Sequence, residues 1–234
     1  MRPSWGPTKA FLVVPKDALR APAVFYFHML GKNHGRSQFL DEAVVNAESG
    51  IAGLLIQGTV PWLDSWTGTA IDASLLEDQL ADIRRGLDIL LEQKWIDRTR
   101  IAYAGHDYGA MFGAVLSGRD FPICAWALIA PSPRWGDWIS YFNAKASGDK
   151  EGYDALFGRD EPFIALAKAR TVPVLLQFAS SDKFITESRA SEFAAEVSEP
   201  KTVTTVSSST HDSVYLKGQT DRLEFLKRYL ISPP

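Results

Sequence analysis

The stretch Gly105-His106-Asp107-Tyr108-Gly109 constrains the fold of this 234-residue chain more than any other segment. A run typical of a β-strand, 100–104, leads into it, and a run typical of a helix, 110–116, leads out of it. A turn this sharp between a strand and a helix leaves no room for neighbouring Cβ atoms, which explains the two glycines. The pattern therefore predicts a strand–turn–helix unit that holds the Asp107 side chain at its tip.

Strand-like and helix-like segments alternate along most of the chain. The predicted strands are 10–14, 23–29, 51–57, 100–104, 123–130, 172–179 and 201–206. The predicted helices are 37–49, 74–94, 110–116, 187–197 and 220–231. Such alternation indicates parallel strands joined by right-handed crossovers, so we expect an α/β fold with a mostly parallel central sheet and helices on both faces. No repeat or linker divides the chain, and we expect one domain spanning 1–234.

Two segments of this pattern stand out. The helix 74–94 has an apolar residue every three or four positions, and Ser74 with Glu77 predicts a capping box at its start. The segment 131–170 interrupts the rhythm, because it is rich in aromatic and small polar residues. It predicts irregular turns and short helices.

The composition excludes several classes of function. A net charge of −3, with no basic cluster, gives no reason to expect nucleic acid as a partner. No cluster of His, Cys, Asp or Glu has metal-ligand spacing and no glycine-rich phosphate loop follows the first strand, so we expect no metal and no other cofactor. A single cysteine, no apolar signal region and no membrane-length apolar stretch favour a cytoplasmic location without membrane contact. The sequence leaves open whether the chain forms a homodimer.

Two later residues complete a set with Asp107. Asp182 follows the predicted strand 172–179, and His211 follows the strand 201–206 shortly before the last helix. The chain order nucleophile, acid, histidine resembles that of the α/β-hydrolase superfamily, and the similarity extends over residues 23–230. The chain length and the short 131–170 insertion resemble compact dienelactone hydrolases. The aspartate at the turn, which is the nucleophile elbow of the family, instead resembles epoxide hydrolases and haloalkane dehalogenases.

The resemblance implies an α/β-hydrolase fold with a minimal cap at 131–170 and a catalytic triad of Asp107, His211 and Asp182. It also implies an oxyanion hole built from the amides of Leu30 (or Met29) and Tyr108. At the first of these positions the usual His-Gly of the family reads His28-Met29, so a side chain replaces a hydrogen. The residues expected to wall the pocket are Met29, Trp62, Trp66, Trp135, Trp138 and Tyr141.

An aspartate nucleophile favours attack on saturated carbon. Carboxylate attack on an ester gives a reactive anhydride, whereas opening an epoxide or displacing a halide gives an ordinary enzyme ester, which a water activated by His211 can hydrolyse. Epoxide hydrolases of the family use cap tyrosines as acids, for which Tyr141 and Tyr153 are candidates. Haloalkane dehalogenases usually have tryptophan directly after the nucleophile, where this chain has Tyr108.

The sequence therefore favours hydrolysis of a small apolar epoxide over dehalogenation. Two alternatives stay open. One is ester or lactone hydrolysis of the dienelactone-hydrolase type, with Asp107 acting as a base or through an unusual covalent route. The other is a non-catalytic α/β-hydrolase-fold protein that binds a small molecule. The sequence does not distinguish a native Asp107 from one introduced in place of serine.

Overall fold

The computed structural model describes residues 7–31, 34–58, 67–141, 150–167 and 171–231. The strands are β1 (Ala10–Val13), β2 (Ala21–Phe27), β3 (Ala52–Ile56), β4 (Ile96–His106), β5 (Ala125–Ile129), β6 (Val174–Ala179) and β7 (Lys201–Val206). Apolar runs that are buried throughout form the central strands β2, β3, β5 and β6, because both sheet faces are covered there. Together the strands form a seven-stranded sheet of order β1-β3-β2-β4-β5-β6-β7 within this described part. Only β1 is antiparallel to its neighbour, which confirms the predicted α/β class with a mostly parallel sheet.

Helices connect the strands and cover the sheet. They are α1 (Leu40–Glu48), α2 (Ala70–Glu92), α3 (Tyr108–Ser117), α4 (Trp135–Ser140), α5 (Lys150–Ala155), α6 (Pro162–Ala167), α7 (Glu187–Glu196), α8 (Val214–Lys217) and α9 (Gln219–Leu230). Tyr26 of β2 lies against α1, where its hydroxyl accepts a hydrogen bond from Asn46. Its neighbour Phe25 lies against Gly86 of α2. Successive strand residues point to opposite faces, so α1 and α2 cover opposite faces of the sheet, as predicted.

The helix α2 tests the prediction in detail. Its apolar stripe is confirmed, because each member is at most 4% exposed. The capping box is wrong: the helix begins at Ala70, and the side chain of Thr69 accepts the Ile71 amide at 3.3 Å. Ser74 instead lies inside the helix, and its hydroxyl donates to the carbonyl of Ala70. The stripe consists of Leu76, Leu80, Ile83, Leu87 and Leu90.

The described residues of the segment 131–170 form short helices joined by turns and irregular stretches. The helices are α4, α5, a 3₁₀ turn (Gly158–Asp160) and α6, which agrees with the predicted turns and short helices. Helix α6 packs against α3 and α7, and α4 packs against α5. Within the described ranges, no helix is both long and apolar enough to cross a membrane.

The parallel strands deliver the candidate residues to one edge of the sheet. The end of β2 leads into His28 and Leu30, and the end of β4 leads into Asp107. The ends of β6 and β7 lead to Asp182 and His211. Carboxyl ends of neighbouring parallel strands meet at the same edge, which explains why residues far apart in sequence converge there.

Candidate active site

Asp107 occupies a strained turn between β4 and α3. Its φ of 53° and ψ of −116° are unusual for a residue with a side chain. A Cβ at Gly105 would lie 2.4 Å from the carbonyl oxygen of Gly109, and a Cβ at Gly109 would lie 2.2 Å from that of Phe27. Both neighbours are backbone atoms that cannot move aside. The glycines therefore allow the tight turn that the sequence predicts, and Asp107 is only 4% exposed within it.

The structure brings the three predicted triad residues together. Nε2 of His211 lies 3.3 Å from Oδ1 of Asp107, and Nδ1 of His211 lies 2.8 Å from Oδ2 of Asp182. The other oxygen of Asp182 accepts the amides of Phe184 and Ile185, which fixes the carboxylate in its loop. The edge of the Phe184 ring packs on the imidazole of His211 at 5.2 Å between centroids. The histidine ring is thus held between two carboxylates.

The two carboxylates control the charge of His211. Burial lowers the pKa of His211, but the hydrogen bonds and charges of Asp107 and Asp182 outweigh burial and raise it to about 10. Burial raises the pKa of Asp182, but the hydrogen bond and charge of His211 outweigh it and lower it. At neutral pH the resting site therefore holds an imidazolium between carboxylates.

The loop after β2 directs one amide at Asp107. The amide of Leu30 lies 3.4 Å from Oδ2 of Asp107. The amide of Met29 donates instead to Oε1 of Gln38 at 2.7 Å, so Leu30, rather than the alternative Met29, faces the carboxylate. Nε2 of His28 accepts the Gly58 amide at 2.8 Å, which leaves Nδ1 to donate to the Met29 carbonyl at 2.6 Å. Burial lowers the pKa of His28 to about 4, in keeping with this neutral state.

Tyr108, the second predicted oxyanion residue, is the first residue of α3. Its ring is fully buried, and its hydroxyl donates to Oε1 of Gln79 at 3.1 Å. The role of its amide stays a prediction. Met29, predicted to line the pocket, lies in the loop after β2 and is 6% exposed.

The four predicted tryptophans have different outcomes. Nε1 of Trp138 donates to Oδ1 of Asp107 at 2.5 Å, and its indole stacks on the ring of Tyr108. Trp135, on the same helix α4, donates instead to the carbonyl of Asp160 at 2.8 Å, within the segment 131–170. Of the two predicted tryptophans that the structure describes, Trp138 is therefore the one placed on Asp107. Trp62 and Trp66 lie outside the described residues.

The two predicted tyrosines have hydroxyls engaged away from the triad. The hydroxyl of Tyr153 donates to Oδ2 of Asp72 at 2.7 Å, and the side chain is buried. The hydroxyl of Tyr141 accepts from Arg189, and 40% of this residue is exposed. The ring of Tyr141 contacts Phe184, which in turn contacts His211, so Tyr141 lies at the outer edge of the site.

Sequence reasoning missed Gln38. It precedes α1 and connects the Leu30 loop to His106 at 2.6 Å, but no local pattern distinguishes it from any other polar residue before a helix. Among the described residues, no group of three or more His, Cys, Asp or Glu side chains is arranged to hold a metal ion.

Comparison with solved structures identifies the architecture as the α/β-hydrolase fold. Est1E from Butyrivibrio proteoclasticus matches with a TM-score of 0.72 and 18% identity, over 97% of this chain and 94% of that chain. An acetyl xylan esterase from Paenibacillus sp. R4 matches with a TM-score of 0.75 and 15% identity, over 96% and 80%. The esterase Est2 from Thermogutta terrifontis matches with a TM-score of 0.67 and 14% identity, over 97% and 90%. No protein family and no curated protein matches the sequence.

Proposed function

We propose that this protein is a hydrolase whose Asp107 displaces a leaving group from a saturated carbon. The carboxylate would form an alkyl–enzyme ester, and His211, oriented by Asp182, would activate the water that hydrolyses it. One observation carries this proposal: Oδ1 of Asp107 faces both Nε2 of His211, at 3.3 Å, and the indole N–H of Trp138, at 2.5 Å. The oxygen that would attack the substrate thus contacts both the base and a donor that could stabilise the departing charge.

The charge of the resting site supports a two-step order. With its pKa raised to about 10, His211 holds its proton at neutral pH and cannot act as a base before Asp107 is alkylated. Alkylation removes the charge of Asp107, and with it one of the two carboxylates that raise this pKa. His211 then loses its proton more readily and can take one from water. In this order the first chemical step, alkylation of Asp107, makes His211 available as a base for the second step.

The donor at Asp107 favours a leaving group that needs no proton. In the substitution, negative charge moves from Oδ1 to the leaving group, and the Trp138 N–H can follow it by a small shift. An indole N–H stabilises a departing anion but does not protonate it. A halide suits this donor, whereas an epoxide oxygen needs an acid. The hydroxyl of Tyr153 already donates its proton to Asp72, and Tyr141 lies at the outer edge of the site. We therefore place a small haloalkane ahead of the epoxide that the sequence favours.

Ester hydrolysis is the second candidate, because solved structures with this fold include proteins named as esterases. A structure of Est1E holds ferulic acid. On this chain an ester substrate would require Asp107 to act as a base toward water, because carboxylate attack on the carbonyl would give an anhydride. The Leu30 amide would then stabilise the oxyanion.

Isotope labelling separates these functions. Each member of a panel of haloalkanes, epoxides and aryl esters is incubated with excess enzyme in ¹⁸O-water. The mass of the peptide containing Asp107 is measured by mass spectrometry after one turnover. The covalent route predicts one ¹⁸O in Asp107, with halide or diol released, and the variant His211→Gln should accumulate the alkyl adduct. Turnover that leaves Asp107 unlabelled contradicts the covalent route. Aryl-ester turnover that leaves Asp107 unlabelled and is lost in Asp107→Asn favours the ester reading, and ligand binding without any turnover favours a binding protein.

A further inference from the structure

A chain of three side-chain hydrogen bonds runs behind the triad. The amide of Met29 donates to Oε1 of Gln38 at 2.7 Å, and Nε2 of Gln38 lies 2.6 Å from Nδ1 of His106. Nε2 of His106 lies 3.0 Å from the backbone carbonyl of His211. This series of hydrogen bonds therefore starts at Met29, the residue before Leu30, and ends on the catalytic histidine itself.

Both ends of this chain are backbone groups, which fixes the direction of every bond. An amide N–H can only donate, so Gln38 accepts with its oxygen and donates with its nitrogen. His106 must then accept at Nδ1 and donate from Nε2, because the carbonyl of His211 can only accept. Only the neutral His106 tautomer with its proton on Nε2 is compatible with all three hydrogen bonds. A proton on Nδ1 would place two donors against each other.

The surroundings of His106 keep it neutral. The residue is fully buried, and burial lowers its pKa well below the usual range, with a further decrease from the charge of His211. Its ring contacts those of His211 and Tyr215, each at 5.5 Å between ring centroids. These contacts help to hold its two nitrogens toward Gln38 and the carbonyl of His211.

We propose that Gln38 and His106 are positioning residues that hold the Leu30 amide and the ring of His211 in fixed register around Asp107. The Met29 amide is fixed by Gln38, and the Met29 carbonyl is fixed by His28, so the next peptide group is directed at the carboxylate. The same pair fixes the backbone of His211, while Asp182 fixes its ring. Loss of Gln38 separates the oxyanion side of the site from the base side.

The spectroscopic test needs no substrate. Imidazole ¹⁵N shifts should place the His106 proton on Nε2, with Nδ1 unprotonated, from about pH 6 to about pH 9. In Gln38→Glu the carboxylate still accepts the Met29 amide but offers His106 an acceptor, so His106 should gain a proton on Nδ1 and become cationic. In Gln38→Leu both contacts disappear and the shifts of His211 should change. A His106 that carries its proton on Nδ1, or that titrates near the ordinary value, overturns the inference.

The kinetic test rests on the proposed function and uses the most active compound of the panel. Gln38→Leu should lower kcat by roughly 100-fold with little change in KM, the size expected from small misplacement of reacting groups. Gln38→Glu should retain more activity than Gln38→Leu. The matched control is Asn46→Leu on α1, which removes a buried side-chain hydrogen bond of 2.7 Å to Tyr26 of β2, away from the site.

The control separates positioning from stability. If Asn46→Leu lowers Tm as much as Gln38→Leu and keeps kcat, the loss in Gln38→Leu is positional. Equal kcat losses in the two variants would overturn the inference. If the wild-type protein turns over no member of the panel, the proposed function fails, and the tautomer of His106 still decides the inference by itself.

Discussion

At the scale of single residues, the two oxygens of Asp107 have separate surroundings. Oδ2 faces the amide of Leu30, as the carbonyl oxygen of an ester intermediate would need. Oδ1 faces Trp138 and His211, as an attacking oxygen would need. A serine at this position has a single oxygen and could not divide the roles in this way. The aspartate therefore fits its surroundings.

The tryptophans of α4 offer a matched pair for testing the leaving-group role. Trp138→Phe removes the donor on Asp107 and should slow formation of the alkyl–enzyme by roughly 100-fold, the effect of losing one preorganised donor. Trp135→Phe also removes a buried indole hydrogen bond, to Asp160, and should change that rate little. Stopped-flow halide release measures the first step. Similar losses in the two variants would show that α4 acts only through packing.

His211 makes the stability of the fold depend on pH. Its pKa in the folded protein, about 10, is above the ordinary 6.5, so its proton stabilises the folded state. This contribution is complete below about pH 6.5 and is lost as pH rises toward 10. The unfolding free energy should fall over this range with a slope of up to about 1.4 kcal/mol per pH unit from this group. Urea unfolding at several pH values should show the slope in the wild type and a flatter curve in His211→Gln; equal slopes would contradict the assignment.

At the scale of elements, the turn between β4 and α3 was predictable because its requirements are local. Glycine spacing and the change of hydrophobic period define it without any knowledge of distant residues. The convergence of Asp182 and His211 was predictable from the order of parallel strand ends. The donor on Asp107 was not, because Trp135 and Trp138 lie on one short helix and only the packing of that helix decides which indole reaches the carboxylate. The start of α2 was missed because Thr69 caps it earlier than the capping-box pattern at Ser74 indicates.

The two glycines of the turn predict a large structural cost for the smallest substitution. Gly105→Ala and Gly109→Ala place a Cβ 2.4 Å and 2.2 Å from backbone carbonyl oxygens, so each should destabilise the protein by about 3 kcal/mol or more. Gly86→Ala is the control, because its Cβ meets the Phe25 ring at 3.0 Å and alanine favours the helix by about 1 kcal/mol. Urea unfolding measures all three. A Gly109→Ala variant as stable as Gly86→Ala would be inconsistent with this turn geometry.

At the scale of the whole molecule, a buried arginine joins elements from both ends of the chain. Arg222 of α9 is fully buried, and its Nε lies 3.0 Å and 3.1 Å from the two carboxylate oxygens of Glu42 on α1. It also donates to the side chain of Gln177 on β6 and to the carbonyl of Tyr215 on α8. The Arg222 guanidinium of α9 thus satisfies acceptors from three other elements, beside the β6 strand that leads to Asp182. The pair therefore connects the helix layer to the sheet that carries Asp107, Asp182 and His211.

A buried charge is costly without its partner. The losses of unfolding free energy in the two single variants of this ion pair should therefore not add up to the loss in the double variant. Arg222→Leu leaves Glu42 buried and unpaired and should cost about 3–5 kcal/mol of unfolding free energy. The double variant Glu42→Leu/Arg222→Leu removes both charges and should be more stable than Arg222→Leu alone. The exposed pair Arg85–Glu92, with both side chains 63% accessible, is the control, and its double-mutant cycle should give about 1 kcal/mol or less. Urea unfolding of both cycles checks this, and strictly additive losses at Glu42 and Arg222 would mean that the buried pair contributes no coupling to the assembly of the fold.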